Sequence, residues 1–299
     1  MRNEDLRAPA NSQQPTANSL FIGRIPYVNC YPVYGAIDRG AVALEGNIVT
    51  GVPSELNRMM AADELDVSVV SAVEYARSPE RYLLLPDLAI SCDGPVQSVV
   101  LCSKLPAPEL TGRTVIVSRS SMTSGALLEL LFANVWNAHP DFRAGEAEVS
   151  DLDALQREPH DARLVIGDAA LLLTGDGPAA THRSPYPHVY DLGAEWKRWT
   201  GLPFVFAVWV ARRAVPVAES LHAHASLIAA RDWGLSHLDE LAADAAARTG
   251  VAEARCRAYL SGLDYGLSYP HLAGLTEFFR RLVELGRVPN GTLTFLPAA

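Results

Sequence analysis

Leu20-Phe-Ile-Gly-Arg-Ile-Pro-Tyr-Val-Asn-Cys-Tyr-Pro-Val-Tyr34 begins as an apolar strand and ends as a helix. Leu20 to Ile25 has strand composition, Asn29 sits on the turn that follows, and Pro32 opens a helix, where its fixed φ and missing N–H cost nothing. A strand that runs through a short turn into a helix is the first unit of an α/β sheet. Open sheets of this kind place small-molecule sites at the carboxyl ends of their strands. At that end this chain carries an amide and several aromatic rings but no acid or histidine, so a site built there works through neutral hydrogen bonds.

The pattern repeats outward from this unit. Short β-rich runs occur at Asn47–Val52, Asp66–Ser71, Ser98–Ser103, Thr114–Val117, Arg163–Gly167 and Phe204–Ala211. Helical patterns lie between them at Pro53–Ala62, Thr123–Asn137, Ala169–Leu173 and Ala194–Trp199. Alternation of this kind predicts an α/β fold with mainly parallel sheets covered by helices. From Val217 to Leu285 the pattern becomes Ala- and Leu-rich helix, with breaks expected at Gly234, Gly250, Gly262 and Gly274. The runs Ser98–Ser103 and Phe204–Ala211 bracket a central block with its own strands and helices. The expectation is therefore two lobes joined by two crossover strands acting as a hinge. One lobe takes residues 19–103 and 205–299, the other residues 104–204, and the site lies in the cleft between them.

Composition narrows the function. The 299 residues suit two modest lobes, with 49% hydrophobic and 20% charged residues and a mean hydropathy of +0.08. A net charge of −9 with no basic run excludes nucleic acid, whose phosphates need clustered Lys and Arg. The stretch Met1 to Asn18 is polar and lacks the apolar core of a secretion signal, and no later segment approaches a membrane span. The sequence thus predicts a disordered tail at residues 1–18, a cytoplasmic location and no membrane partner. Cys30, Cys92, Cys102 and Cys256 show no metal-knuckle spacing and read as free thiols. The histidines form no H-E-x-x-H, and there is no phosphate loop, dinucleotide fingerprint or nucleophile elbow. No metal, cofactor or covalent intermediate is expected.

Several residues are candidates for chemistry. Ser120-Ser-Met-Thr-Ser124 opens a helix, so Ser121, Thr123 and Ser124 either cap it or, with its N–H groups and dipole, hold a carboxylate. Asn29 either closes its own turn or, flanked by Tyr27 and Tyr31, bonds a substrate hydroxyl. Ser98 starts a crossover strand and is either a strand-edge hydroxyl or a catalytic one. Ser71 and Ala72 end a strand and are candidates to offer backbone N–H groups to a carboxylate. Gly167 permits close backbone approach, and Asp168 reads as a helix N-cap. Phe206 and Val208 read as core, while Thr200 to Phe204, including Pro203, reads as a cleft wall.

Four segments give the chain a wider likeness: Tyr27-Val-Asn-Cys-Tyr-Pro32, Ser91-Cys-Asp-Gly-Pro-Val-Gln-Ser98, Val165-Ile-Gly-Asp-Ala-Ala-Leu171 and the long run from Asp191 to Trp209. In order and spacing these resemble the chorismate dehydratase family of menaquinone biosynthesis by the futalosine route, over roughly residues 20 to 285. The resemblance implies a two-lobe type II periplasmic-binding-protein-like fold turned from carrier to enzyme. It implies dehydration of chorismate, a dianion, to 3-[(1-carboxyvinyl)oxy]benzoate, with Asn29 and Ser98 as catalytic residues. Tyr27, Ser71, Ala72, Ser121, Thr123, Ser124, Gly167, Asp168, Pro203 and Phe204 are the expected substrate contacts. Met122 stands where relatives often carry Arg, and Arg24 or a backbone amide is an expected replacement. Two other readings stay open at this point: a non-catalytic aromatic-acid sensor of the same fold, and the sister enzyme 1,4-dihydroxy-6-naphthoate synthase, which needs a base in the cleft.

Overall fold

The computed structural model describes residues 19–118, 121–145, 157–174 and 186–297, so Met1–Asn18, Ser120 and His182 lie outside it. Ten strands form two five-stranded sheets. The first holds β1 (Phe21–Arg24), β2 (Asn47–Thr50), β3 (Val67–Ser71), β4 (Tyr82–Cys92) and β10 (Phe204–Arg212), in the order β2-β1-β3-β10-β4. The second holds β5 (Val99–Ser103), β6 (Thr114–Ser118), β7 (Asp141–Gly145), β8 (Ala162–Ile166) and β9 (His188–Asp191), in the order β7-β6-β8-β5-β9. In each sheet three strands run parallel, and the fourth position is taken by a strand antiparallel to both neighbours. That strand is β10 in one sheet and β5 in the other. The sheets are therefore mixed, as a chain that crosses from one half to the other and back must make them.

Sheet membership corrects the boundary expected at residue 103. β5 pairs only within the second sheet, so the first crossing is the segment between Cys92 and Val99, ahead of β5. The return lies between Asp191 and Phe204. Asp191 ties the two crossings together: its carboxylate accepts from the N–H groups of Val96 (3.0 Å) and Gln97 (2.6 Å) and caps the next helix at Ala194 (3.0 Å).

Helices α1 (Tyr31–Asp38), α2 (Pro53–Ala61), α3 (Ala72–Arg77), α4 (Met122–Leu131), α5 (Asp168–Leu173) and α6 (Leu192–Thr200) connect the strands. The long pattern after Thr123 divides, α4 passing into a π-helical turn over Phe132–Trp136 that ends at Asn137 in the left-handed region. Four helices close the chain: α7 (Val217–Ser236), α8 (Leu238–Thr249), α9 (Glu253–Gly262) and α10 (Tyr269–Glu284). Two of the expected breaks are absent. Gly234 and Gly274 lie inside α7 and α10, where a Cβ would meet the carbonyl oxygens of Pro32 and Pro203 at 2.0 Å. Their role is close packing, and a sequence pattern cannot separate that from helix termination.

β4, β7, β9 and α3 were not legible as elements. β4 hides because Pro86-Asp87 looks like a turn. Asp87 has φ of +54°, and β4 pairs with β10 across register irregularities, so the strand bulges there and continues. The core runs through both sheets, with β3, β5 and β8 buried along their whole length and β10 along most of it. Continuous apolar runs are expected of strands covered on both faces.

Candidate active site

Between the two sheets lies a cavity of about 70 Å³. The first-sheet side supplies Tyr27, Asn29, Ser71, Phe206 and Ala207, and the crossing and second-sheet side supplies Ser98, Ser121, Ser124 and Gly167. Isoleucines 25, 90 and 166 and Val99 fill the space between these polar groups. Among the described lining residues there is no Asp, Glu, His, Lys, Arg or Cys. Drug-sized ligands occupy sites of about 300 Å³ or more, so the cavity as it stands is smaller than such a ligand needs. The larger cavities, of about 500 and 520 Å³, lie beside α3 and α10 and beside the start of α7.

Asn29 occupies the middle of a 3-10 turn, Val28–Cys30, fixed between Pro26 and Pro32. Its Oδ1 is buried with no hydrogen-bond partner. Closing its own turn would have given that oxygen a partner, so the Asx-turn reading fails. A buried acceptor left unsatisfied costs about 1–3 kcal/mol, a cost that a ligand's hydroxyl or N–H removes. The neighbouring Cys30 thiol is pushed up to about 12 by burial, an effect that Arg24 only partly offsets, so it stays protonated at neutral pH. Arg24 itself pairs with Asp38 at 2.5 Å, lies over the Tyr34 ring and is not among the residues lining the cavity.

Ser98 is buried, with its Oγ only 3.4 Å from Val96 O, at the long limit of a hydrogen bond. The fully buried phenol of Tyr259, from α9, lies within reach of Ser98, and burial drives it well above its ordinary range, an effect that Ser98 partly offsets. Nothing in local sequence could have linked Tyr259 to Ser98.

Ser121 caps α4: its Oγ accepts from Ser124 N (3.3 Å) and donates to Ser124 Oγ (2.6 Å). The capping reading is therefore satisfied, and both hydroxyls still face the cavity at a helix start. Thr123 does not. It turns to the first sheet, where its Oγ1 accepts from Val73 N at 3.2 Å. Met122 packs in the same seam, with its sulfur 3.3 Å from Asn57 Nδ2.

Other expectations need correction. Ser71 lines the cavity, but its N–H donates to Asn57 Oδ1 (3.1 Å) and its Oγ accepts from Glu74 N (3.3 Å) and Asn57 Nδ2 (2.9 Å). The N–H groups of Ser71 and Val73 are thus both engaged within the protein, and Ala72 is not among the residues lining the cavity. Asp168 is not the N-cap of α5. That position is Gly167, at φ +66° and ψ −146°, a conformation open to Gly alone. The Asp168 carboxylate instead reaches the other half and accepts from Val28 N at 3.2 Å. The aromatic wall is also reversed. Phe206 and Ala207 face the cavity, whereas Phe204 packs on Trp196, Phe206 and Phe278, and Pro203 O is bonded by Trp196 Nε1. Strict period-two alternation would put Phe204 and Phe206 on one face; the irregularity in the β10–β4 pairing between Val205 and Ala207 breaks it there.

A site with this lining suits binding by shape and neutral hydrogen bonds, and among its described residues there is no acid, histidine, lysine or cysteine. The family model described as menaquinone biosynthesis matches residues 20–284. The chain is 35% identical over 268 residues to the chorismate dehydratase of Thermus thermophilus, covering 86% of this chain and 95% of that protein. Among solved structures, a protein from Archaeoglobus fulgidus superposes with a TM-score of 0.70 at 21% identity, over 90% of this chain and 98% of that one. A Candida albicans protein described as having the generic periplasmic binding protein fold gives 0.56 at 13% identity, over 92% of each chain. The last two bear on the fold alone, which is the two-lobe periplasmic-binding-protein-like arrangement.

Proposed function

We infer the chemistry from one premise: the chain belongs to the menaquinone biosynthesis family. It is a chorismate dehydratase, a carbon–oxygen lyase. Chorismate loses its ring hydroxyl, together with the proton on the adjacent carbon bearing the enolpyruvyl ether. The C–H electron pair becomes the new ring double bond, hydroxide leaves and takes up the abstracted proton to give water, and the product is 3-[(1-carboxyvinyl)oxy]benzoate. The gain of aromaticity drives the reaction forward.

The observation that carries this reading is the buried, unpartnered Oδ1 of Asn29 in a cavity whose described lining has no titrating acid or base. In our proposal that oxygen accepts from the ring hydroxyl and Ser98 Oγ donates to it as it departs, an interaction that strengthens with developing negative charge. The start of α4 at Ser121 and Ser124 takes a carboxylate, using the helix dipole. The proton goes to the substrate's own enolpyruvyl carboxylate, folded against the ring. Delivery within one molecule reaches effective molarities of about 10⁵ M or more when the geometry is held, and holding it while excluding water is the protein's contribution.

Incubation of the purified protein with chorismate, followed by mass spectrometry, should yield a substituted benzoate lighter than chorismate by one water. Bound chorismate recovered unchanged would sink the enzymatic reading. A chorismate analogue esterified at the side-chain carboxylate should not dehydrate, and turnover of that ester would mean that a protein base does the work.

A further inference from the structure

The turn that aims Asn29 is closed by its own backbone, Cys30 N donating to Tyr27 O at 3.0 Å, but no side chain of the turn fixes it. Its N-cap is Tyr27, which makes no side-chain capping hydrogen bond, and Asn29 Oδ1 has no protein partner. The direction of the amide is therefore set by the backbone of Val28–Cys30. A backbone N–H of that turn, Val28, is bonded by a carboxylate 140 residues away, Asp168 Oδ1 at 3.2 Å, at the start of α5 in the opposite half. The other oxygen of Asp168 lies 3.7 Å from Arg248 on α8. The far end of α5 is tied across the same divide, with Arg255 Nη2 on α9 donating to Thr174 Oγ1 at 2.9 Å. Thus α5 meets the first half at both ends, and one of those contacts falls on the residue beside Asn29.

We propose that Asp168 is a positioning residue for dehydration: it arrives with the second half on closure, seizes Val28 N–H and so locks Asn29 into register with the substrate hydroxyl. It does not touch the substrate. Gly167 belongs to the same device, because its positive φ turns the chain so that Asp168 faces the Val28 turn. The substrate's contact with Asn29 is then completed only in the closed state. This inference rests on the dehydratase reading above.

The test is a series at one position, read by kinetics and by hydrogen exchange. Asp168→Ala should lower kcat about tenfold or more with KM little changed, the signature of a misaimed group rather than a lost binding contact. Asp168→Asn still offers an oxygen to Val28 N–H, and should restore kcat to within about threefold of wild type. Exchange at the Val28 amide should accelerate in the Ala variant and not in the Asn variant. If the Ala variant does not fold, Asp168→Glu moves the carboxylate by one methylene and should show the same fall in kcat. Wild-type kcat in the Ala or Glu variant overturns the proposal, as does an Asn variant as slow as the Ala variant, which would assign the role to the charge. Failure of the wild-type protein to dehydrate chorismate would remove the functional reading instead, and the exchange at Val28 would still decide whether the clamp exists.

Discussion

The cavity between the sheets and the groove beside α3 and α10 differ in lining more than in size. The groove is about 500 Å³, walled by Tyr75, Phe279 and Val283, and the Tyr75 hydroxyl is already engaged: its Oη donates to Thr292 O at 3.1 Å and accepts from Thr294 N at 2.8 Å. The inter-sheet cavity is about 70 Å³ and holds an amide oxygen with no partner. A hydroxyl bonded on both sides belongs to the packing around it, whereas an unsatisfied buried group marks where a ligand can complete the structure. Volume alone ranks these two sites in the wrong order.

Substitutions on each side test that contrast. Asn29→Ala should cost about 10²-fold or more in kcat, measured by product formation from chorismate, and near-normal turnover would detach the cavity from the chemistry. Ser98→Ala should lower kcat by roughly tenfold or more, because Ala can give no hydrogen bond to the departing hydroxyl. Gly167→Ala forces a Cβ into a left-handed conformation and should remove about 1–3 kcal/mol of stability, visible as a lower melting temperature together with weaker turnover. Rate against pH should be flat from about pH 6 to about pH 9, since no described lining side chain titrates in that window and the Cys30 thiol is pushed up to about 12. A bell-shaped profile would point to a protein acid or base. At the small end, Thr276→Trp projects a bulky ring into the groove from the exposed face of α10 and should leave kcat and KM unchanged.

The sequence read the cavity better than it read the framework around it. Tyr27, Asn29, Ser71, Ser98, Ser121, Ser124 and Gly167 all line it, because strand ends and helix starts are legible from Pro, Gly and hydroxyl residues at fixed offsets. Ala72, Thr123, Asp168, Pro203 and Phe204 do not, and for Thr123, Asp168 and Phe204 the structure shows where the side chain goes instead. Thr123 spends its hydroxyl on Val73 of the other half, and Asp168 spends its carboxylate on Val28. Phe204 and Phe206 exchanged their expected roles because the β10–β4 register shifts between Val205 and Ala207, an irregularity that alternation along one strand does not reveal.

Local chemistry thus determined the α/β class, the turn that presents Asn29, the helix start at Ser121 and the neutral character of the site, since each depends on residues a few positions apart. Only the folded chain decided that β5 belongs to the second sheet, that Tyr259 backs Ser98 and that Asp168 clamps the Asn29 turn. Those are partnerships between distant segments, set by how two sheets pack against each other, and no spacing within either segment encodes them.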